Sequence, residues 1–196
     1  MKYYMLLPDR DSDDGAFLEE LSASPVEDFE FFDCIALKDR FPSDVVMDMS
    51  KDDPDMRVLY DIVENLDSLL IVSEPFKELL MKFDCGEVEF LPVKIRNQRD
   101  KIEATNYFIV NLVDSVDYIN KKETKIEFSA LDNSLISSIE NIVLKEDGIP
   151  AEKALFRSNE FPKGYVVSET LKNTIEDANM ENVKFVETSE YDSALY

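Results

Sequence analysis

The block Val72-Ser73-Glu74 recurs as Val167-Ser168-Glu169 ninety-five residues further on, and the register then holds without a gap through a helix and the strand behind it. Lys77 maps to Lys172, and Val88 and Phe90 map to Val183 and Phe185, so that six of twenty aligned positions are identical. The first copy shows what is repeated. Phe76, Leu79, Leu80 and Phe83 fall at i, i+3, i+4 and i+7, one apolar stripe of a helix. Ser73 stands where a hydroxyl can cap the free N–H groups of the first turn, Glu74 is favourable against the helix dipole, and Pro75 lacks only an N–H that has no partner there. The helix is expected to begin near Glu74.

An aromatic strand opens each half of the chain, Tyr3-Tyr4-Met5-Leu6 in one and Tyr107-Phe108-Ile109-Val110 in the other. Alternating or continuous apolar runs rich in β-branched and aromatic residues mark strands at Tyr3–Leu7, Phe29–Leu37, Val88–Ile95, Tyr107–Val113, Lys125–Phe128, Ile139–Leu144 and Val183–Val186. The polar stretch Arg96-Asn97-Gln98-Arg99-Asp100-Lys101 has no periodicity and reads as a connection. The expected architecture is α+β: two related units, residues 1–98 and 99–196, each a mainly antiparallel sheet with a short capped helix. The two either stand apart or share one core, since units of this size gain by pooling their buried surface.

Charge narrows the choice of partner. Forty-three Asp and Glu against 21 Lys and Arg give a formal net charge of −22. Nucleic acid and anionic membranes are polyanions, and binding them calls for clustered cations that this chain lacks, so neither is expected as a partner. A protein with a basic surface fits better. Solubility alone also explains an acidic surface. Residues 1–60 carry sixteen carboxylates and six cations, whereas residues 91–105 run slightly positive, so the field is densest in the N-terminal third.

Cys34 and Cys85 form neither a CxxC pair nor a disulfide framework, which suits a reducing compartment. The apolar run from Met1 to Pro8 is too short for the core of a signal peptide, and no stretch approaches the roughly 18 residues of a membrane helix. The expected location is the cytoplasm.

The chain contains no histidine. Ser-His and Cys-His nucleophiles, histidine acid–base catalysis and histidine-containing zinc sites are thereby excluded. Its four glycines form neither a GxGxxG turn nor a Walker loop, so the usual phosphate cradles are missing and no cofactor is called for. Three carboxylate patterns remain. Asp9, Asp11, Asp13 and Glu20 follow the spacing of a calcium loop, but Asp14 occupies the glycine position and a strand precedes the loop. Asp117 or Asp114 with Glu123 and Lys125 is the spacing of a magnesium-dependent nuclease, two carboxylates for the metal and a lysine for the attacking water. In so acidic a chain that spacing arises easily, and no basic groove accompanies it. The Asp and Glu pairs a glycosidase requires are abundant, but nothing selects one. The expectation is a protein that is not an enzyme.

The second half also carries a pattern of short elements in a fixed order: Asn106-Tyr107-Phe108-Ile109-Val110-Asn111, Val116-Asp117, Leu155-Phe156-Arg157, Val167-Ser168-Glu169 with Leu171-Lys172, and Val183-Lys184-Phe185. This resembles the eleventh-numbered family of polymorphic-toxin immunity proteins, best over residues 85–187. Where that family tends to have a serine shortly after the aspartate matching Asp117, this chain has Lys121, and where it tends to have a glycine before the last strand, this chain has Asn182. The resemblance implies a bacterial protein that neutralises a toxin encoded beside it, often one delivered by contact-dependent or type VI secretion. Physically the same residues read as scaffold: Phe156 and Phe185 core, Ser168 a cap, Arg157 an ion-pairing residue near a strand end.

The reading that joins these strands of evidence is an immunity protein that binds its cognate toxin, either covering the active site or locking the toxin in an inactive form. Its expected contact surface is the acidic loops: Asp9, Asp11, Asp13 and Asp14, then Asp48, Asp52, Asp53 and Asp55, each of which is otherwise an ordinary solvated charge. The readings from other classes are a magnesium-dependent nuclease-like enzyme using Asp117, Glu123 and Lys125, and a structural adaptor of a secretion system.

Overall fold

A computed structural model describes residues 2–195 apart from residues 11, 20 and 22–25. Its chain runs β1 (Tyr3–Pro8), β2 (Phe17–Leu18), β3 (Val46–Asp48), β4 (Ile62–Asn65), β5 (Ile71–Ser73), α1 (Glu74–Leu80), β6 (Val88–Arg96) and β7 (Ile102–Leu112). It continues with β8 (Lys125–Phe128), β9 (Ile136–Glu140), β10 (Leu155–Ser158), β11 (Phe161–Ser168), α2 (Glu169–Asp177) and β12 (Val183–Glu187). The architecture is α+β: a six-stranded sheet of order β2-β4-β5-β7-β6-β3, a four-stranded sheet of order β10-β11-β1-β12, and the hairpin β8-β9.

The repeated block forms the same structure twice. Ser73 and Ser168 each accept an N–H from three residues ahead, Phe76 and Leu171, both at 3.3 Å. Each helix then returns the chain to a strand parallel to the one it left, with a single antiparallel strand between them: β7 separates β5 from β6, and β1 separates β11 from β12. Registers match residue for residue. Tyr107 lies opposite Ser73 as Tyr3 lies opposite Ser168, and Val110 lies opposite Phe90 as Leu6 lies opposite Phe185. The fourth strand agrees as well, Ile62 facing Val72 as Leu155 faces Val167.

The two halves of the sequence exchange their opening strands. The aromatic strand that begins the chain is the central strand of the sheet built from β10, β11 and β12, and the aromatic strand near the middle of the chain is central to the sheet built from β4, β5 and β6. The exchange extends to the return segment: β2 runs parallel to β4 with Phe17 opposite Glu64, and Ser115 bridges in parallel to Arg157 at the corresponding place on β10.

Period-two alternation on the exchanged strands divides the core. Tyr107 and Ile109 point into a cluster inside the six-stranded sheet, with Leu91, Val93, Ile95 and Met47. Tyr3 and Met5 point into a second cluster, with Phe156, Tyr118 and Ile139. The opposite faces, carrying Val110 and Leu6, meet in a third cluster that takes Phe76, Leu79 and Leu80 from α1 and Leu171 and Ile175 from α2. Both helices thus bury their stripes in one shared core. The larger sheet also closes on itself, since Leu18 beside β4 bridges Met49 beyond β3, and Ser50 N–H donates to the Phe17 carbonyl at 2.8 Å.

Two expected strands differ from the observed elements. Phe29–Leu37 is not a strand: Asp28–Phe32 is a 3-10 helix, closed at its start by the Glu27 N–H on the Glu30 carboxylate at 2.9 Å. This short-range bond wins over the β propensity of its aromatics, and Cys34, at φ 50°, turns the chain away. The strand expected at Ile139–Leu144 lies at Ile136–Glu140, because Asn141 at φ 50° ends it. The polar segment at 96–101 is a tight hairpin between β6 and β7, with Asn97 N–H donating to the Lys101 carbonyl at 2.8 Å.

Candidate partner-binding surface

Two acidic loops from distant parts of the sequence come together at the mouth of the closed sheet. Gly15 bridges Val58 in parallel, and the N–H groups of Arg57 and Val58 donate to the Asp14 carbonyl at 2.8 and 2.9 Å. Nearby, Glu19 N–H donates to the Asp48 carbonyl at 2.8 Å. Residues 14–19 and 48–58 therefore meet along one edge. At this seam a Cβ on Gly15 would fall 2.7 Å from Ser12 Oγ, so a larger residue would oblige the serine side chain to turn aside.

The expected contact residues divide by what already holds them. Asp52, Asp53 and Asp55 are exposed on this edge, Asp13 is exposed just before it in the chain, and Asp9 is partly buried at the end of β1. Asp14, although exposed, accepts the Tyr60 hydroxyl at 2.7 Å, and this bond pushes the phenol pKa up. Asp55 lies 3.7 Å from Arg57. Asp48 sits on β3 in a bidentate pair with Arg96, at 2.5 and 2.8 Å, and the guanidinium holds its carboxyl below the usual carboxylate range. Its charge is answered within the molecule. Asp11 lies outside the described residues.

Other candidate sites separate likewise. Of the calcium-loop spacing, Asp11 and Glu20 lie outside the described residues, and Asp14 is engaged by Tyr60. No cluster of three or more Cys, Asp or Glu suited to a metal occurs among the described residues. Asp117 is bound by Lys145 at 2.6 Å, Lys125 by Glu140 at 2.6 Å, and Asp114 by Lys153 at 2.8 Å. Asp117, Asp114 and Lys125 are thus held by different neighbours, and Glu123 lies exposed in the turn before β8. A cleft of about 240 Å³ opens at the seam of the two sheets, between Leu6, Ile62 and Phe161, with Arg10 and Lys163 on it. It unites residues more than 150 positions apart, and no local motif marks it.

The residues carrying the family pattern are scaffold, with one correction. Phe156 is fully buried, Ser168 caps α2, and Phe185 packs partly buried against the shared core. Arg157, however, is not ion-paired near a surface. It is 1 % exposed, and Nη2 donates to Asn111 Oδ1 at 3.1 Å and to the Leu112 carbonyl at 2.9 Å, both on β7. Asn111 in turn donates to the Glu89 carboxylate at 2.9 Å, and that carboxylate accepts the Leu37 N–H at 2.8 Å. The guanidinium thus ties the smaller sheet to the larger one through an amide relay. A charge buried this way was invisible in sequence because its partners are neutral and about 45 residues away.

No helix among the described residues is long and apolar enough to cross a membrane. The chain is an α+β protein of paired sheets whose acidic loops lie exposed along one edge. The particular family is clear: the model of the Imm11 immunity protein family matches residues 6–190, and the chain belongs to that family. The match spans nearly the whole chain, both halves included. No curated protein matches the sequence. Asn182, where the resemblance leads one to expect glycine, has φ 59°, a backbone state that asparagine tolerates better than other non-glycine residues. Its side-chain amide donates to the Ile62 carbonyl at 2.8 Å, so the substitution keeps the turn and adds a bond between the sheets.

Proposed function

We propose that this protein neutralises a cognate bacterial toxin in the cytoplasm by binding it, and that its acidic residues between positions 9 and 14 and between 48 and 55 meet a basic surface of the toxin. The observation that supports this reading most is family membership over residues 6–190. The meeting of residues 14–19 with 48–58 supports the choice of surface. With a net charge of −22, long-range attraction accelerates encounter with a cationic partner, and exposed carboxylates complement its cleft. Asp13, Asp52 and Asp53 are the better contacts, because Asp48 is already neutralised by Arg96.

The test is co-expression with the toxin domain encoded beside this gene. Wild-type protein is expected to restore growth. Replacement of Asp9, Asp11, Asp13, Asp14, Asp48, Asp52, Asp53 and Asp55 by their amides is expected to abolish protection and to slow association. Full survival with all eight neutralised sinks the acidic-surface reading, and the absence of any neighbouring toxin gene sinks immunity itself.

A further inference from the structure

We infer that the tip of the β8–β9 hairpin is an apolar anchor that inserts into an apolar pocket of a basic partner protein. Leu131 is 99 % exposed, with Phe128 at 46 % and Leu135 at 37 % beside it in sequence. Scattered exposed leucines need no explanation, but three large apolar side chains exposed within eight residues concentrate apolar surface on one hairpin.

The hairpin tip is held in place. Ser129 N–H donates to the Leu135 carbonyl at 2.8 Å, closing the loop, and Ser129 Oγ accepts the N–H groups of Leu131 and Asp132 at 3.3 and 3.4 Å. Asp132 accepts the N–H and hydroxyl of Ser134 at 2.8 and 2.6 Å. At the base, Ile136 and Ile139 are buried in the core of the smaller sheet, and Ile136 N–H donates to the Glu160 carbonyl at 2.7 Å. A side chain displayed on a loop already ordered loses less freedom on docking, which is what distinguishes an anchor from a merely exposed residue.

Charge selects the occupant. Within residues 127–135 the charged side chains are Glu127 and Asp132, both exposed and both acidic, so the apolar tip carries negative charge on an already anionic molecule. An apolar centre with a polar surround is the anatomy of a binding hot spot. A second copy of this chain would bring another net charge of −22 to the contact. The partner that fits is a different, cationic protein offering an apolar recess. The inference rests on the toxin-binding reading above and gives it a second contact, distinct from the acidic edge.

Calorimetric titration of full-length wild type and the Phe128→Ser/Leu131→Ser variant with a catalytically inactivated form of the neighbouring toxin domain tests this. The expected result is binding by wild type and a loss of about tenfold or more in affinity by the variant, at an unchanged melting temperature. Affinity within twofold of wild type overturns the anchor and leaves toxin binding intact. No binding by wild type overturns the toxin-binding reading and the anchor with it. If sedimentation shows instead a wild-type dimer that the variant dissolves, the occupant is a second copy and the inference fails.

Discussion

The six-stranded and four-stranded sheets share one local plan but differ in how the chain supplies it. In the larger sheet the central strand β7 follows β6 directly through a five-residue hairpin, and the closed sheet is completed by β2 and β3. In the smaller sheet the central strand β1 comes from the far end of the chain, some 150 residues before β11. The same registers and caps are therefore reached by a local connection in one case and a long-range one in the other. Strand, cap and helix are dictated by nearby residues, whereas which strand completes which sheet is decided by the shared core.

Separating the halves gives the largest expected effect. Polypeptides 1–98 and 99–196, produced apart, each lack the central strand of the sheet they otherwise supply, and each exposes a half of the shared core. Neither is expected to give a cooperative thermal transition by circular dichroism, and mixing the two is expected to restore one. A cooperative melt from either half alone breaks the idea that exchange is needed for folding.

Equivalent positions with different residues sharpen the comparison. Glu64 and Arg157 occupy the same place in the two sheets, facing Phe17 and Ser115 respectively. Arg157→Ala removes a buried group that joins the sheets and leaves Asn111 Oδ1 without its donor, at an expected cost of about 3 kcal/mol or more. Glu64→Ala breaks only an ion pair with Arg10 that is largely solvent-screened on the arginine side, and is expected to cost less than about 1 kcal/mol. Denaturant midpoints measure both. Equal costs would show that Arg157 adds nothing beyond a surface pair.

Acid pH acts on the two sheets in the same direction. Asp48 in the larger sheet is held low by Arg96, and Asp114 beside the smaller one by Lys153. A depressed folded pKa stabilises the protein above the ordinary carboxylate value near about 4 and loses that contribution as pH falls through the lower folded value. Asp48→Asn is expected to flatten the loss of stability below about pH 4 relative to wild type. A parallel pH profile for the variant would remove the Arg96 pair from the account.

Much of the scaffold was legible. The caps at Ser73 and Ser168, the helix start at Glu74 and strand β8 follow from residues within a few positions, where propensity and hydrogen-bonding chemistry act directly. Short strands such as β5 and β10 escaped because three or four apolar residues fit several structures, and only pairing with β7 or β11 selects the strand. Of the proposed contact surface, sequence supplied the exposed carboxylates but not their partners. Arg96 lies 48 residues from Asp48, and nothing between them announces the pair. The exposed hairpin tip was hidden for the opposite reason, since Phe128 and Leu131 look like core until the fold leaves them outside.

The smallest effect bears on the lysine that the repeat preserves. Lys77 Nζ lies 3.8 Å from the centre of the Phe108 ring and 6.0 Å from that of Phe90. Lys172 lies 5.2 Å from Tyr4 and 5.5 Å from Phe185, rings at the corresponding places on the exchanged strand and the strand after the helix. Each lysine thus clamps its helix to both neighbouring strands through a cation over two aromatic faces, which accounts for its identity in the two copies. Lys77→Met keeps most of the aliphatic packing and removes the charge, at an expected cost of about 0.5–1 kcal/mol. Lys172→Met should cost slightly more, because Lys172 also pairs with Glu176 one helical turn on, at 2.6 Å. A double-mutant cycle of each lysine with its closest ring, Phe108→Leu or Tyr4→Leu, reads the ring contribution alone. Coupling in both cycles, larger at Lys77 where the ring is nearer, supports a shared clamp; no coupling in either would leave the preserved lysine unexplained.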